Sequence, residues 1–130
     1  MAVPVPELQA YADACVRLVA EQHGRLLTRD LASLEVLDQV CRERVAEGPL
    51  GGDRLEFWTA LVGAYTGEVL VATYDGAWVD HDDRWGVAAF GAVGFPFVTA
   101  RRLLGGETGK SMAGMGRVLP AIVERRERED

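Results

Sequence analysis

The first half of the chain carries apolar residues at a helical period, and the stretch after it carries them in short extended runs. Pro6 suits a first helical turn, and Leu8, Tyr11, Ala12, Cys15, Leu18, Val19 and Gln22 recur at helical spacing until Gly24 offers a stop. A second helix can be capped by Thr28 or Asp30, carries Leu31, Leu34, Leu37, Val40 or Cys41, and Val45, and ends at Gly48 and Pro49. Its polar residues Arg29, Glu35, Asp38, Arg42, Glu43 and Arg44 mix signs and read as a solvated face. Asp53 then caps a third helix from about Arg54 to Tyr74, with Leu55, Trp58, Val62, Tyr65, Val69 and Ala72 on one stripe. The opposite side of that helix is nearly apolar as well, which makes it central and contacted from several directions. Gly63 and Gly67, one turn apart, imply a close approach by another backbone.

After the turn pair Asp75 and Gly76 the pattern becomes a β-hairpin, Ala77 to Asp80 and Trp85 to Phe90, joined through His81, Asp82, Asp83 and Arg84. Its apolar residues do not alternate cleanly, so both faces are expected to be partly covered. Gly91 to Phe97 reads as a loop or bent third strand, and Val98 to Leu104 as a short helix stopped by Gly105 and Gly106. A last helix from about Thr108 presents Met112, Met115, Leu119 and Ile122; Pro120 should kink or restart it, and the charged tail from Glu124 to Asp130 should fray. These elements describe one α+β domain over residues 1–130, four to five helices packed on a small antiparallel hairpin or three-stranded sheet.

Composition narrows the function classes. The chain has 130 residues, 48% hydrophobic and 26% charged, as in an ordinary globular domain. With 14 basic against 20 acidic residues its net charge is -6, which disfavours a nucleic-acid binder and fits solubility or a basic partner protein. The N-terminus has no charged start like a signal peptide, and no apolar run approaches the ~20 residues of a membrane span, so the expected compartment is the cytoplasm. One Lys against 13 Arg, with abundant Ala, Gly and Val, suggests a high-GC bacterial genome. Cys15 and Cys41 fall in helices without metal-ligand spacing and read as reduced core thiols, and His23 reads as a surface cation at a helix end.

The most informative single residue is Glu68, a lone carboxylate among Leu61, Ala64, Val71 and Ala72 within one helical turn. Buried unpaired it would be costly, so it needs a donor from Arg101, Arg102 or the Trp78 indole, as a tie between helix and sheet or as a ligand-binding acid. The string GGETGKS at Gly105 to Ser111 approaches a phosphate-binding loop but has Leu104 where the first Gly belongs, and it follows a helix rather than a strand. Asp80, His81, Asp82 and Asp83 concentrate oxygen and nitrogen ligands in one turn, but consecutive hairpin residues diverge, so no metal and no cofactor is expected.

LASLEVLD at Leu31 to Asp38, GAYTGEVL at Gly63 to Leu70, GAWV at Gly76 to Val79, FPF at Phe95 to Phe97 and RRL at Arg101 to Leu103 together resemble a family of small bacterial domains of unknown function. In that family a helix with a Tyr, Gly, Glu motif leads into a Trp-bearing strand, a Pro-Phe loop and an Arg-containing helix. The resemblance covers about residues 30 to 106 and implies a helix-plus-hairpin α+β domain, with Tyr65, Gly67, Glu68, Trp78, Pro96 and Arg102 at the matching positions. It brings no reaction with it. The leading expectation is a non-enzymatic interaction module of accessory or immunity type, self-associating or holding one protein partner, with Trp78 and Trp85 as a possible contact surface. The alternative is a small-molecule site, enzymatic or not, lined by Tyr65, Glu68, Trp78 and Arg102.

Overall fold

The computed structural model of the chain describes residues 5–48, 50–82 and 84–129, and the side chains of residues 7–120 among them. Five helices and a three-stranded antiparallel sheet form an α+β domain, in the order α1 (Val5–His23), α2 (Leu31–Ala46), α3 (Gly52–Tyr74), β1 (Ala77–His81), β2 (Arg84–Ala89), β3 (Ala92–Gly94), α4 (Pro96–Leu104) and α5 (Met112–Glu129). No helix among the described residues is long and apolar enough to cross a membrane.

As the two apolar sides of its sequence require, α3 is the centre. It packs chiefly against α1 and α4, and its Trp58, Leu61, Val62, Ala64, Tyr65 and Val69 join Leu8, Cys15 and Val19 of α1, Leu34, Leu37 and Val40 of α2, and Ala100, Leu103 and Leu104 of α4 in the main core. A second, smaller cluster of Leu70, Val87 and Leu119 lies where α3, β2 and α5 meet. The two helical glycines do admit a close approach, but from rings rather than from another backbone. A Cβ on Gly63 would collide with the ring of Phe97, and one on Gly67 with the ring of Trp78.

Pairing of Asp80 with Trp85 and of Trp78 with Val87 puts Trp78, Trp85 and Val87 on one face of the hairpin. Buried Val87 shows that this face lies on the helices, so both tryptophans do too. β2 ends one residue earlier than expected: Phe90 and Gly91 have φ of 57° and 73° and form a two-residue turn into β3, whose partner register begins at Ala89 and Ala92. The expected loop or bent strand is thus a true third strand, and Pro96 and Phe97 belong to α4, with Pro96 in its first turn.

Helix starts show where distant contacts override local signals. α2 is capped by Asp30, which accepts from the Ser33 backbone N–H at 2.9 Å, while Thr28 donates to Asp30. α3 starts after Gly51 without a side-chain cap, so Asp53 is a first-turn acid rather than the expected cap. α5 starts at Met112 instead of about Thr108, because its cap comes from another helix. Asp38 of α2, only 2% exposed, accepts from the backbone N–H of Met112 at 2.7 Å and of Ala113 at 3.2 Å, and from Ser111 Oγ at 2.8 Å. A single element spans Pro120 and runs to Glu129; its side chains beyond Pro120, and Asp130 altogether, lie outside the described residues.

The mixed-sign face of α2 is therefore not wholly solvated. Besides Asp38, Arg44 is only 7% exposed: its guanidinium stacks 3.7 Å from the centre of the Trp58 ring and donates to Gln22. His23 is likewise no free surface cation, since its ring is packed down with Nδ1 3.3 Å from Glu43 of α2.

Candidate functional site

Glu68 has the indole donor that its position demands. Trp78 Nε1 donates to Glu68 Oε1 at 3.0 Å, and the contact of the Trp78 ring with Gly67 brings the indole within reach of the next residue of α3. Tyr65, one turn earlier, is buried and spends its hydroxyl on structure. It accepts from the Arg29 backbone N–H at 2.9 Å and lies 2.6 Å from Ser33 Oγ; because Ser33 donates to the Asp30 carbonyl, the Tyr65 hydroxyl donates to Ser33. This chain fixes the left-handed Arg29 (φ 61°) at the entrance to α2, and burial raises the Tyr65 pKa. Beside Tyr65 and Glu68, with Arg29, Val69 and Ala72, there is a recess of about 140 Å³, less than half the low end of small-molecule sites.

Of the residues expected to gather there, Trp78 arrives and Arg102 does not. Arg102 is exposed on α4 and faces Glu107 at 3.9 Å, and neighbouring Arg101 pairs with Glu56. Trp85 meets Trp78 edge to face, ring centres 6.4 Å apart, and turns its other side to a different and larger space. In the turn beyond it Asp80, His81 and Asp82 are exposed, with His81 3.7 Å from Asp82; Asp83 lies outside the described residues. Among the described residues no group of three or more His, Cys, Asp or Glu is placed to hold a metal ion. The GGETGKS stretch follows α4 and ends in the Ser111 and Asp38 cap of α5, so its Ser serves a helix start and its Gly105 the end of α4.

The larger space is a cleft of about 400 Å³ between four elements. α1 contributes Leu8 and Tyr11, α3 Glu56, Thr59 and Ala60, β2 Arg84 and Trp85, and α4 Phe97, Val98 and Arg101. Its size lies within the usual range for small-molecule sites, and its walls are mainly apolar and aromatic. Phe97, one of its walls, packs against Gly63 and meets the Trp78 ring, itself packed against Gly67, with ring centres 5.8 Å apart.

Two polar groups in this wall lack partners. Trp85 Nε1 and Thr59 Oγ1 are shut off from solvent and have no hydrogen-bond partner among the described residues, although Thr59 is only 7% exposed. A buried donor left unmatched costs about 1–3 kcal/mol. The indole N–H can only donate, so an acceptor is what it lacks. The other Trp of the hairpin has its acceptor in Glu68, whereas the Trp85 indole N–H has none among the described residues. The charged groups of the wall are Arg84, Arg101 and Glu56, two cations against one anion in a chain of net charge -6.

Sequence reading missed this cleft because its lining comes from four elements at positions that each look like ordinary core or surface. Of its lining residues, Trp85 was singled out as a contact surface and Arg101 as a donor for Glu68, neither as part of this space. Comparison of the chain with protein-family models, curated proteins and solved structures gives no match. The helix-plus-hairpin arrangement implied by the resemblance is present, while its Tyr65, Glu68, Trp78 and Arg102 do not converge on one site.

Proposed function

We propose that this is a small-molecule-binding domain whose site is the cleft between α1, α3, β2 and α4, rather than a pocket around Glu68. The observation that carries the reading is Trp85, which lines a mainly apolar cleft of about 400 Å³ and whose buried indole N–H has no partner among the described residues. Binding rather than catalysis is favoured by the lining, where Glu56 is engaged by Arg101 and the described lining residues include neither His nor Cys. Glu68 serves to hold the Trp78 indole, which in turn shapes the hairpin side of the cleft.

The test uses N-phenyl-1-naphthylamine, a neutral probe that fluoresces in apolar sites. It should bind the native chain, and Ala60→Trp, which fills the cleft from α3, should abolish the signal while circular dichroism stays native. Unchanged binding in that variant would place the probe elsewhere and defeat the reading. A second reading, an interaction module that self-associates or holds a protein partner, is favoured by Leu26, Phe57 and Val118, large apolar side chains half or more exposed. A doubled mass in native mass spectrometry, lost on Phe57→Ser or Val118→Ser, would support it.

A further inference from the structure

From the same cleft we infer the chemical class of its ligand: a compact aromatic or apolar anion, with a flat body between Trp85, Phe97 and Tyr11 and a carboxylate toward Arg84 and Arg101. This inference rests on the cleft being the binding site. The apolar walls set the body of the ligand, and the polar groups set its charged end. Trp85 supplies a donor that no acceptor of the described chain meets, and the Thr59 hydroxyl can rotate to donate as well. Both atoms are closed to solvent, so reaching a ligand in the cleft requires the Trp85 or Thr59 side chain to turn.

The two guanidiniums complete the preference. Arg84 rests 5.0 Å from the centre of the Phe95 ring, which positions it at the β2 edge of the cleft without consuming its hydrogen bonds. Arg101 is shared with Glu56, whose carboxylate occupies the place that a ligand carboxylate would compete for. A cationic ligand would meet two arginines and one glutamate, and a neutral one would leave the arginines' forks unused.

The experiment is displacement of N-phenyl-1-naphthylamine by three ligands of equal shape: 2-naphthoate, 2-naphthamide and 2-naphthylmethylamine. Naphthoate should displace the probe at a concentration roughly tenfold lower than the amide, with the amine weakest. Arg84→Gln and Arg101→Gln should each cut the preference for naphthoate over naphthamide by about three- to tenfold. Glu56→Gln should raise naphthoate affinity alone, because it frees Arg101. Equal displacement by naphthoate and naphthamide would overturn the anionic class and leave the cleft standing. Failure of all three to displace a probe that Ala60→Trp does exclude would overturn the ligand class as well, whereas a probe indifferent to Ala60→Trp would remove the cleft reading beneath it.

Discussion

At Gly67, helix propensity and packing oppose each other. Alanine in a helix interior is favoured over glycine by up to about 1 kcal/mol, yet a Cβ here would occupy the Trp78 ring. Packing wins, because the ring is held by both the Glu68 bond and the hairpin. Gly67→Ala should destabilise the fold by roughly 1–3 kcal/mol in urea titration. Glu68→Gln retains an oxygen for the indole and loses only the charge assistance, so it should lower stability by about 1 kcal/mol and leave probe binding in the cleft unchanged. The need for a donor was legible in the sequence, since a lone carboxylate amid apolar neighbours demands one, but Trp78 was one of three candidates beside Arg101 and Arg102. Asp38 and Arg44 were not legible. Their neighbours in sequence are mixed charges, and what buries them, the start of α5 and the Trp58 ring, is supplied by elements far along the chain.

Among the elements, α5 depends on a residue that is not its own. Its first backbone N–H groups are satisfied by Asp38 and Ser111, so Asp38→Ala would strand several donors where solvent cannot reach them. A loss of roughly 2–4 kcal/mol is expected, with early hydrogen exchange at Met112 and Ala113 before the rest of the chain opens. Helix and strand identities were readable because period and punctuation agree over α1, α2, α3 and the hairpin. Boundaries failed where a tertiary partner decides them. The Asp38 cap moved the start of α5, and the Phe90 and Gly91 turn decided for a third strand where local glycines left a loop or a bent strand open.

At the scale of the whole molecule, the buried thiols give stability a pH limit on the alkaline side. Burial raises the Cys15 pKa from 9.0 to about 12 and also raises Cys41, with the same direction for Tyr65. An unfolded chain therefore ionises these groups first, so their contribution is complete below about pH 9 and is lost as pH rises toward 12. The melting temperature should fall steadily over that interval, and iodoacetamide should label neither thiol at pH 8 until the chain is unfolded. The cleft also belongs to this scale, since no single element carries it.

Its central residue can be watched directly, because the chain has three tryptophans and hence three indole N–H signals in a nitrogen-15 correlation spectrum. Trp85→Phe assigns one of them. On addition of 2-naphthoate the Trp85 indole proton should move downfield as it gains an acceptor, while the Trp78 signal, already bonded to Glu68, and the Trp58 signal under Arg44 stay in place. A Trp85 signal that does not move, or a shift at Trp78 in its stead, would contradict the assignment of the cleft as the binding site.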